Sequence, residues 1–110
     1  EVVARIRQDI DQNYPQPLKV SSYAKKYFFT QEYLTRLFRQ HYEMTIQEYL
    51  LMVRMTRAKE LLENPSIKIQ EDAARVGYSD NNYFSKAFRN FFGITPTDCR
   101  NKCFVSRNTK

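Results

Sequence analysis

Apolar residues recur along the chain at intervals of three and four, the period of one helix face, and no stretch alternates as a half-buried strand would. Val2, Val3, Ile6 and Ile10 form a stripe that stops at Tyr14-Pro15-Gln16-Pro17, so a first helix is expected to about Tyr14. A short second helix is predicted from Val20 to Tyr27. A third follows Thr30, whose hydroxyl can cap it, and runs to about Tyr42 with Leu34, Leu37 and Phe38 on one face. The fourth is the longest. Thr45-Ile46-Gln47-Glu48 has the form of a capping box, and Ile46, Tyr49, Leu50, Val53, Ala58, Leu61 and Leu62 carry the helix to Asn64, where Pro65 stops it. A fifth is predicted over about Lys68 to Val76, with Gly77 as its left-handed cap. A sixth starts after Ser79 or Asp80 and ends near Phe92, before Gly93. The seventh begins at Thr95, with Pro96 well suited to its first position and Asp98 close behind. The predicted fold class is all-α, with seven helices.

The chain also repeats itself. Val20 and Ala24 align with Ile69 and Ala73, and Phe29-Thr30 with Tyr78-Ser79. From Tyr33 onward the offset grows by one, and Tyr33, Phe38, Arg39 and Thr45 recur as Tyr83, Phe88, Arg89 and Thr95. That shift places one extra residue, read as an Asn, between a Ser79 cap and Tyr83. Each copy is a short helix, a tight turn and a second amphipathic helix, the helix-turn-helix pattern whose second helix enters a major groove. One such hairpin is a weak signal; two joined by a capped helix are a strong one. The expected organisation is a first helix-turn-helix subdomain over 1–44, a linker helix over 45–64, a second subdomain over 65–103 and a polar tail over 104–110. A linker from Thr45 to about Glu63 spans ~28 Å at 1.5 Å per residue, against ~34 Å between successive major grooves on one face of B-DNA. Any shortfall falls to DNA bending, which costs about 1–6 kcal/mol.

Composition changes the picture in one respect. Eighteen Lys and Arg against twelve Asp and Glu give a net charge of +6, which favours a polyanionic partner through counterion release. No apolar run approaches a membrane span. Cys99 and Cys103, with His41 as the lone histidine, make neither a zinc set nor a disulfide framework and read as reduced packing thiols. No cofactor is expected, and no nucleophile–base set, phosphate loop or metal cluster marks an enzyme. Because the chain opens on Glu1-Val2-Val3 rather than Met, it is expected to be cut from a longer protein with a regulatory domain upstream.

From Lys59 to Arg100 the residues resemble the signature region of AraC/XylS-type transcriptional regulators. The matching elements are Ala58 with Leu61-Leu62, Ile69 with Glu71 and Ala73, Val76 to Ser79, Tyr83-Phe84, Phe88-Arg89, Gly93 to Pro96 and Arg100. The first repeat is similar to the family's first motif through Ala24, Thr30, Tyr33-Leu34, Phe38-Arg39, Tyr49, Arg54 and Ala58. The resemblance covers about residues 5 to 101. It implies a bacterial, cytoplasmic, C-terminal DNA-binding domain of seven helices that docks two recognition helices in successive major-groove segments. It also implies a role in regulating, most commonly activating, transcription, with RNA polymerase as a further partner. The segments from Val53 to Leu62 and from Val76 to Phe88 look like the output domains of YesN-like response regulators. Three positions depart from the family pattern: Asp72 replaces an apolar residue, Cys99 an aromatic and Glu43 a glycine. The first two predict a looser core in the second motif. The third puts the turn into the long helix in question.

Helix faces then sort the candidates. Gln31, Glu32, Thr35, Arg36 and Arg39 face outward on the third helix; Asn81, Asn82, Ser85, Lys86 and Arg89 do so on the sixth, with Phe84, Ala87, Phe88 and Phe91 inward. Arg and Lys suit guanine, Asn and Gln suit adenine, and a carboxylate suits the cytosine amino group. Arg36, Lys86 and Asn82 are assigned to bases, against phosphate contact for the two cations and capping for Asn82. Thr35 and Ser85 divide between bases and phosphate or water; Gln31, Glu32 and Asn81 between bases and the rim. Arg39 and Arg89 anchor the DNA backbone or join surface ion pairs, and the caps Thr30 and Ser79 offer free amides to phosphate. Arg54 and Arg57 are expected to pair with Glu48, Glu60 or Glu63, against contact with DNA. Because the two outward sets differ, the expected partner is an asymmetric double-stranded DNA site. The alternative is a basic helical module that docks an acidic protein.

Overall fold

A computed structural model describes residues 1–108, with side chains through Lys102. Seven helices follow in order: α1 Val2–Asn13, α2 Val20–Tyr27, α3 Gln31–Tyr42, α4 Ile46–Leu61, α5 Ile69–Arg75, α6 Asn81–Phe92 and α7 Pro96–Asn108. Among the described residues there is no strand, and no helix is long and apolar enough to cross a membrane. The chain divides into two compact units, Glu1–Val53 and Arg54–Lys110, with the division inside α4. The side chains of Cys103 and of the polar tail expected over 104–110 lie outside the described residues.

In the first unit Val3, Ile6 and Ile10 of α1 pack with Tyr23 and Ala24 of α2, Leu34 and Phe38 of α3, and Ile46 and Tyr49 of α4. Two tyrosines bring hydroxyls into this core, and each finds an acceptor at its edge, as a buried phenol requires. Tyr23 Oη donates to Asp9 Oδ2 at 2.6 Å, and Tyr49 Oη donates to Asp11 Oδ1 at 2.5 Å. Burial and these carboxylates push both phenols above the ordinary tyrosine range, although for Tyr49 the nearby Arg7 pulls the other way. Arg7 donates to Tyr49 Oη at 3.3 Å and lies over the Tyr42 ring, 5.2 Å from its centroid.

The second unit buries Met55 and Ala58 of α4 with Leu62 just past its end, Ala73 of α5 with its cap Val76, Phe84 and Phe88 of α6, and Cys99 of α7. Met55 was not among the apolar positions expected to carry α4. Its presence explains why that helix lacks a single stripe: Ile46 and Tyr49 are buried before the division, and Met55, Ala58 and Leu62 after it. The latter three have the spacing of Val3, Ile6 and Ile10. Lys59 lies over the Phe92 ring at 5.1 Å, as Arg7 lies over Tyr42. The second half of α4 therefore opens the second unit as α1 opens the first.

The departures at Asp72 and Glu43 resolve in physical terms. Asp72 enters the second core with a charged partner. It is fully buried, and its Oδ2 accepts from Arg100 Nη2 at 2.8 Å. Arg100 also donates to the carbonyls of Leu62 at 2.9 Å and Asn64 at 3.0 Å, so one guanidinium ties α5 and α7 to the loop that follows α4. Asp72 Oδ1 is buried without a protein donor, and desolvation pushes the carboxyl above the usual carboxylate range against the pull of Arg100. Cys99 is a buried thiol at the position that Tyr49 holds in the first unit. Glu43 adopts the left-handed conformation, φ 61°, just as Gly93 does at φ 82°. Each donates its N–H to the carbonyl four residues back at 2.7 Å, so the turn is preserved, with backbone strain on the glutamate.

Candidate nucleic-acid interface

The outward edges of α3 and α6 are built by the same local rules. Thr30 Oγ1 accepts from the Tyr33 amide at 3.1 Å and caps α3. At the other end of the turn, Thr45 Oγ1 accepts from the Glu48 amide at 3.1 Å and Glu48 Oε1 accepts from the Thr45 amide at 2.8 Å. These bonds, the Thr45 amide foremost, hold the Glu48 carboxyl below the usual range. In the second unit Thr95 Oγ1 accepts from the Asp98 amide at 3.1 Å. Between residues 31–50 and 81–100 the sequence of buried, half-buried and exposed positions is identical, residue for residue. The repeat read from the sequence up to Thr95 thus extends into the helices that follow.

On α3, Gln31, Glu32, Arg36 and Arg39 are exposed and Thr35 is half-buried; on α6, Asn81, Asn82, Lys86 and Arg89 are exposed and Ser85 is half-buried. Each set forms a continuous edge along its helix, at spacings of one, three and four residues. Phe91, expected inward, is 40% exposed; it stands edge-on to the half-buried Phe92, at 4.8 Å, and corresponds to exposed His41 in the first copy. Arg57 pairs with Glu60 at 3.1 Å as expected. Arg54 lies over the Tyr78 ring, 5.6 Å from its centroid.

The entry to α6 follows the second of the two expected starts and corrects the cap role given to Ser79. Asp80, not Ser79, is the cap: its Oδ1 accepts from the amides of Asn82 at 2.9 Å and Tyr83 at 3.4 Å. The repeat places the extra residue in the turn rather than in the helix. Phe29 and Tyr78 both donate their N–H to the matching alanine carbonyl at 2.9 Å, yet Thr30 caps at once while Ser79 intervenes before Asp80. Ser79 is therefore pushed out of the cap position and has no free helix amides behind it. A carboxylate accepting two amides satisfies a helix terminus more strongly than a hydroxyl, so Asp80 wins. Asn82 is released from capping and keeps its amide group exposed. Glu32 in the first turn of α3 likewise complements the helix dipole. Each edge thus begins with one carboxylate and continues with cations.

Phe28 was not singled out by the sequence. It ends α2 in the left-handed conformation, φ 62°, and is 94% exposed, where the second copy has Gly77 at φ 103°. The missed signal was the alignment itself, which sets a phenylalanine opposite a glycine.

Two helix-turn-helix units in tandem, each with an exposed polar edge on its second helix, define a class: a two-motif helix-turn-helix binding domain. The helix-turn-helix domain family matches residues 23–102. The Msm operon regulatory protein of Streptococcus mutans is 42% identical over 98 residues, covering 89% of this chain and 35% of that protein. The transcriptional activator RhaR of Mannheimia succiniciproducens is 36% identical over 93 residues, covering 84% of this chain and 34% of that protein. The chain thus spans about a third of the length of these relatives. The C-terminal domain of the two-component response regulator yesN from Fusobacterium nucleatum superposes with a TM-score of 0.81 at 33% identity, covering 88% of this chain and 95% of that one. The chain belongs to the AraC-type helix-turn-helix family of DNA-binding domains.

Proposed function

We propose that the chain reads an asymmetric double-stranded DNA site, with α3 and α6 each entering a major-groove segment, and that this binding regulates transcription. The observation that carries the reading is that two segments with identical burial patterns, 31–50 and 81–100, expose different polar edges. Gln31, Glu32, Thr35 and Arg36 read one half of the site; Asn81, Asn82, Ser85 and Lys86 read the other. Arg39 and Arg89 anchor phosphates, and Thr30 holds the tip of α3 at the backbone. Ser79, displaced from the cap, meets the backbone only through its hydroxyl.

Activation is the direction favoured by the name of the RhaR relative, and binding without catalysis is the expected mode. The share of each relative that the chain spans supports an output role beside a regulatory segment, in a cytoplasmic regulator that meets RNA polymerase. Titration against site-selected and scrambled duplexes across a salt series tests the reading. A steep salt slope with ~10³-fold or greater preference for the selected site is expected. Equal, weak binding to every duplex would overturn it and favour the protein-docking alternative.

A further inference from the structure

Arg36 is not held by the helix alone. Its guanidinium lies over the Tyr33 ring, 5.9 Å from the centroid. That ring packs in turn on Phe29 of the preceding turn, with centroids 5.2 Å apart and planes tilted by 54°. Helix geometry explains the order. Residues three apart share a face, and helical side chains lean toward the N-terminus, so Arg36 is carried back over Tyr33 toward the tip of α3.

The second unit repeats the ring without the clasp. Tyr83 packs on Tyr78 with centroids 5.8 Å apart, but the cation three residues on is Lys86, and among the described residues no cation lies over Tyr83. Tyr83 is 65% exposed, against 44% for Tyr33. A lysine head is a compact, strongly hydrated charge, whereas a guanidinium is planar and stacks.

We infer that Tyr33 is a positioning residue for Arg36. It limits the poses of the guanidinium before DNA arrives, so that less side-chain freedom is lost when the planar donors meet a base. The α3 half of the site is then discriminated more sharply than the α6 half. This inference rests on the reading proposed above, in which Arg36 contacts a base.

The test is site selection from a random duplex pool with the 110-residue chain, followed by titrations of Tyr33→Phe, Tyr33→Leu, Arg36→Lys and the Tyr33→Leu/Arg36→Lys pair. Tyr33→Leu is expected to lower discrimination by about two- to fivefold, the size of an exposed cation–π contact, only at the base pair whose preference depends on Arg36. Tyr33→Phe keeps the ring face and should keep the discrimination. The salt slope should stay unchanged in both, and the double variant should lose less than the sum of the singles. A uniform loss across all duplexes, a Tyr33→Phe defect equal to that of Tyr33→Leu, or strict additivity would overturn the inference while leaving specific binding intact. A pool that yields no preferred sequence would instead overturn the reading itself, and the inference with it.

Discussion

In the first unit the polar contact that fastens α2 runs to α1, from Tyr23 to Asp9; in the second, the matching position of α5 is Asp72, which runs to α7 through Arg100. The apolar layers around these positions are alike. Ala24 matches Ala73, Leu34 matches Phe84, and Phe38 matches Phe88, each buried in its own unit. The difference lies in the type of interaction. A tyrosine hydroxyl donating to a half-buried aspartate is a neutral donor with a partly solvated acceptor. Asp72 is a fully buried carboxylate that depends on one guanidinium. Equivalent packing therefore does not imply equivalent vulnerability, because the second unit is held by a contact whose loss leaves a buried charge unmatched.

The sharpest way to break that comparison is to delete each contact. Asp72→Ala should destabilise the chain by about 3 kcal/mol, the lower end for a broken buried pair because Arg100 keeps two carbonyl acceptors. Tyr23→Phe should cost only about 1 kcal/mol, a single hydrogen bond at the edge of a core. Chemical denaturation of both variants checks this; equal losses would mean that the two fastenings are energetically alike. Acidity separates the units further. Because the folded Asp72 carboxyl lies above its ordinary value, the stability it contributes is present at low pH and is lost as pH rises from 3.8 through the raised folded value. Glu48 lies below its ordinary value, so its contribution is lost as pH falls through the lowered one. The difference in stability between the parent chain and Asp72→Asn should therefore shift against the parent as pH rises from 3.8, whereas for Glu48→Gln it should shift toward the parent. A flat Asp72→Asn difference across that range would contradict the assignment.

Left-handed positions give smaller, opposed effects. A Cβ at Gly93 meets nothing within 4 Å, so Gly93→Ala tests backbone strain alone and should cost about 1–2 kcal/mol. Glu43→Gly, at the matching position, should stabilise by about 1 kcal/mol, as should Phe28→Gly, whose second-copy counterpart is already Gly77. Thermal unfolding midpoints rank these three, and a destabilising Glu43→Gly would show that the glutamate side chain holds the turn.

Most of the scaffold was legible because its boundaries are written in side chains that act locally. Thr30, the Thr45–Glu48 pair, Gly93 and Pro96 mark helix ends through short-range hydrogen bonding and φ preference, and the structure places ends where they point. Two kinds of information were not local. The cap of α6 was decided between two adjacent residues, each able to cap, by the length of the turn before them, and only the geometry selects Asp80. The pairing of Asp72 with Arg100 spans 28 residues, so no window of sequence around either reveals it. The reading edges lie between these cases: their exposure follows from helix periodicity, while their targets depend on a partner that the chain does not contain. The equivalence of α1 with the second half of α4 escaped for a different reason, since Val3, Ile6 and Ile10 share only apolar character with Met55, Ala58 and Leu62.

The proposed reading gives the two edges different bases on matching scaffolds. It is tested most directly by measuring the sequence preference of Arg36→Ala and Lys86→Ala on one selected duplex and all its single-base variants. Each substitution should cost about 1–3 kcal/mol and relax preference in one half of the site only, a different half for each. Uniform weakening across every sequence, in both variants, would make these residues phosphate anchors and contradict the account.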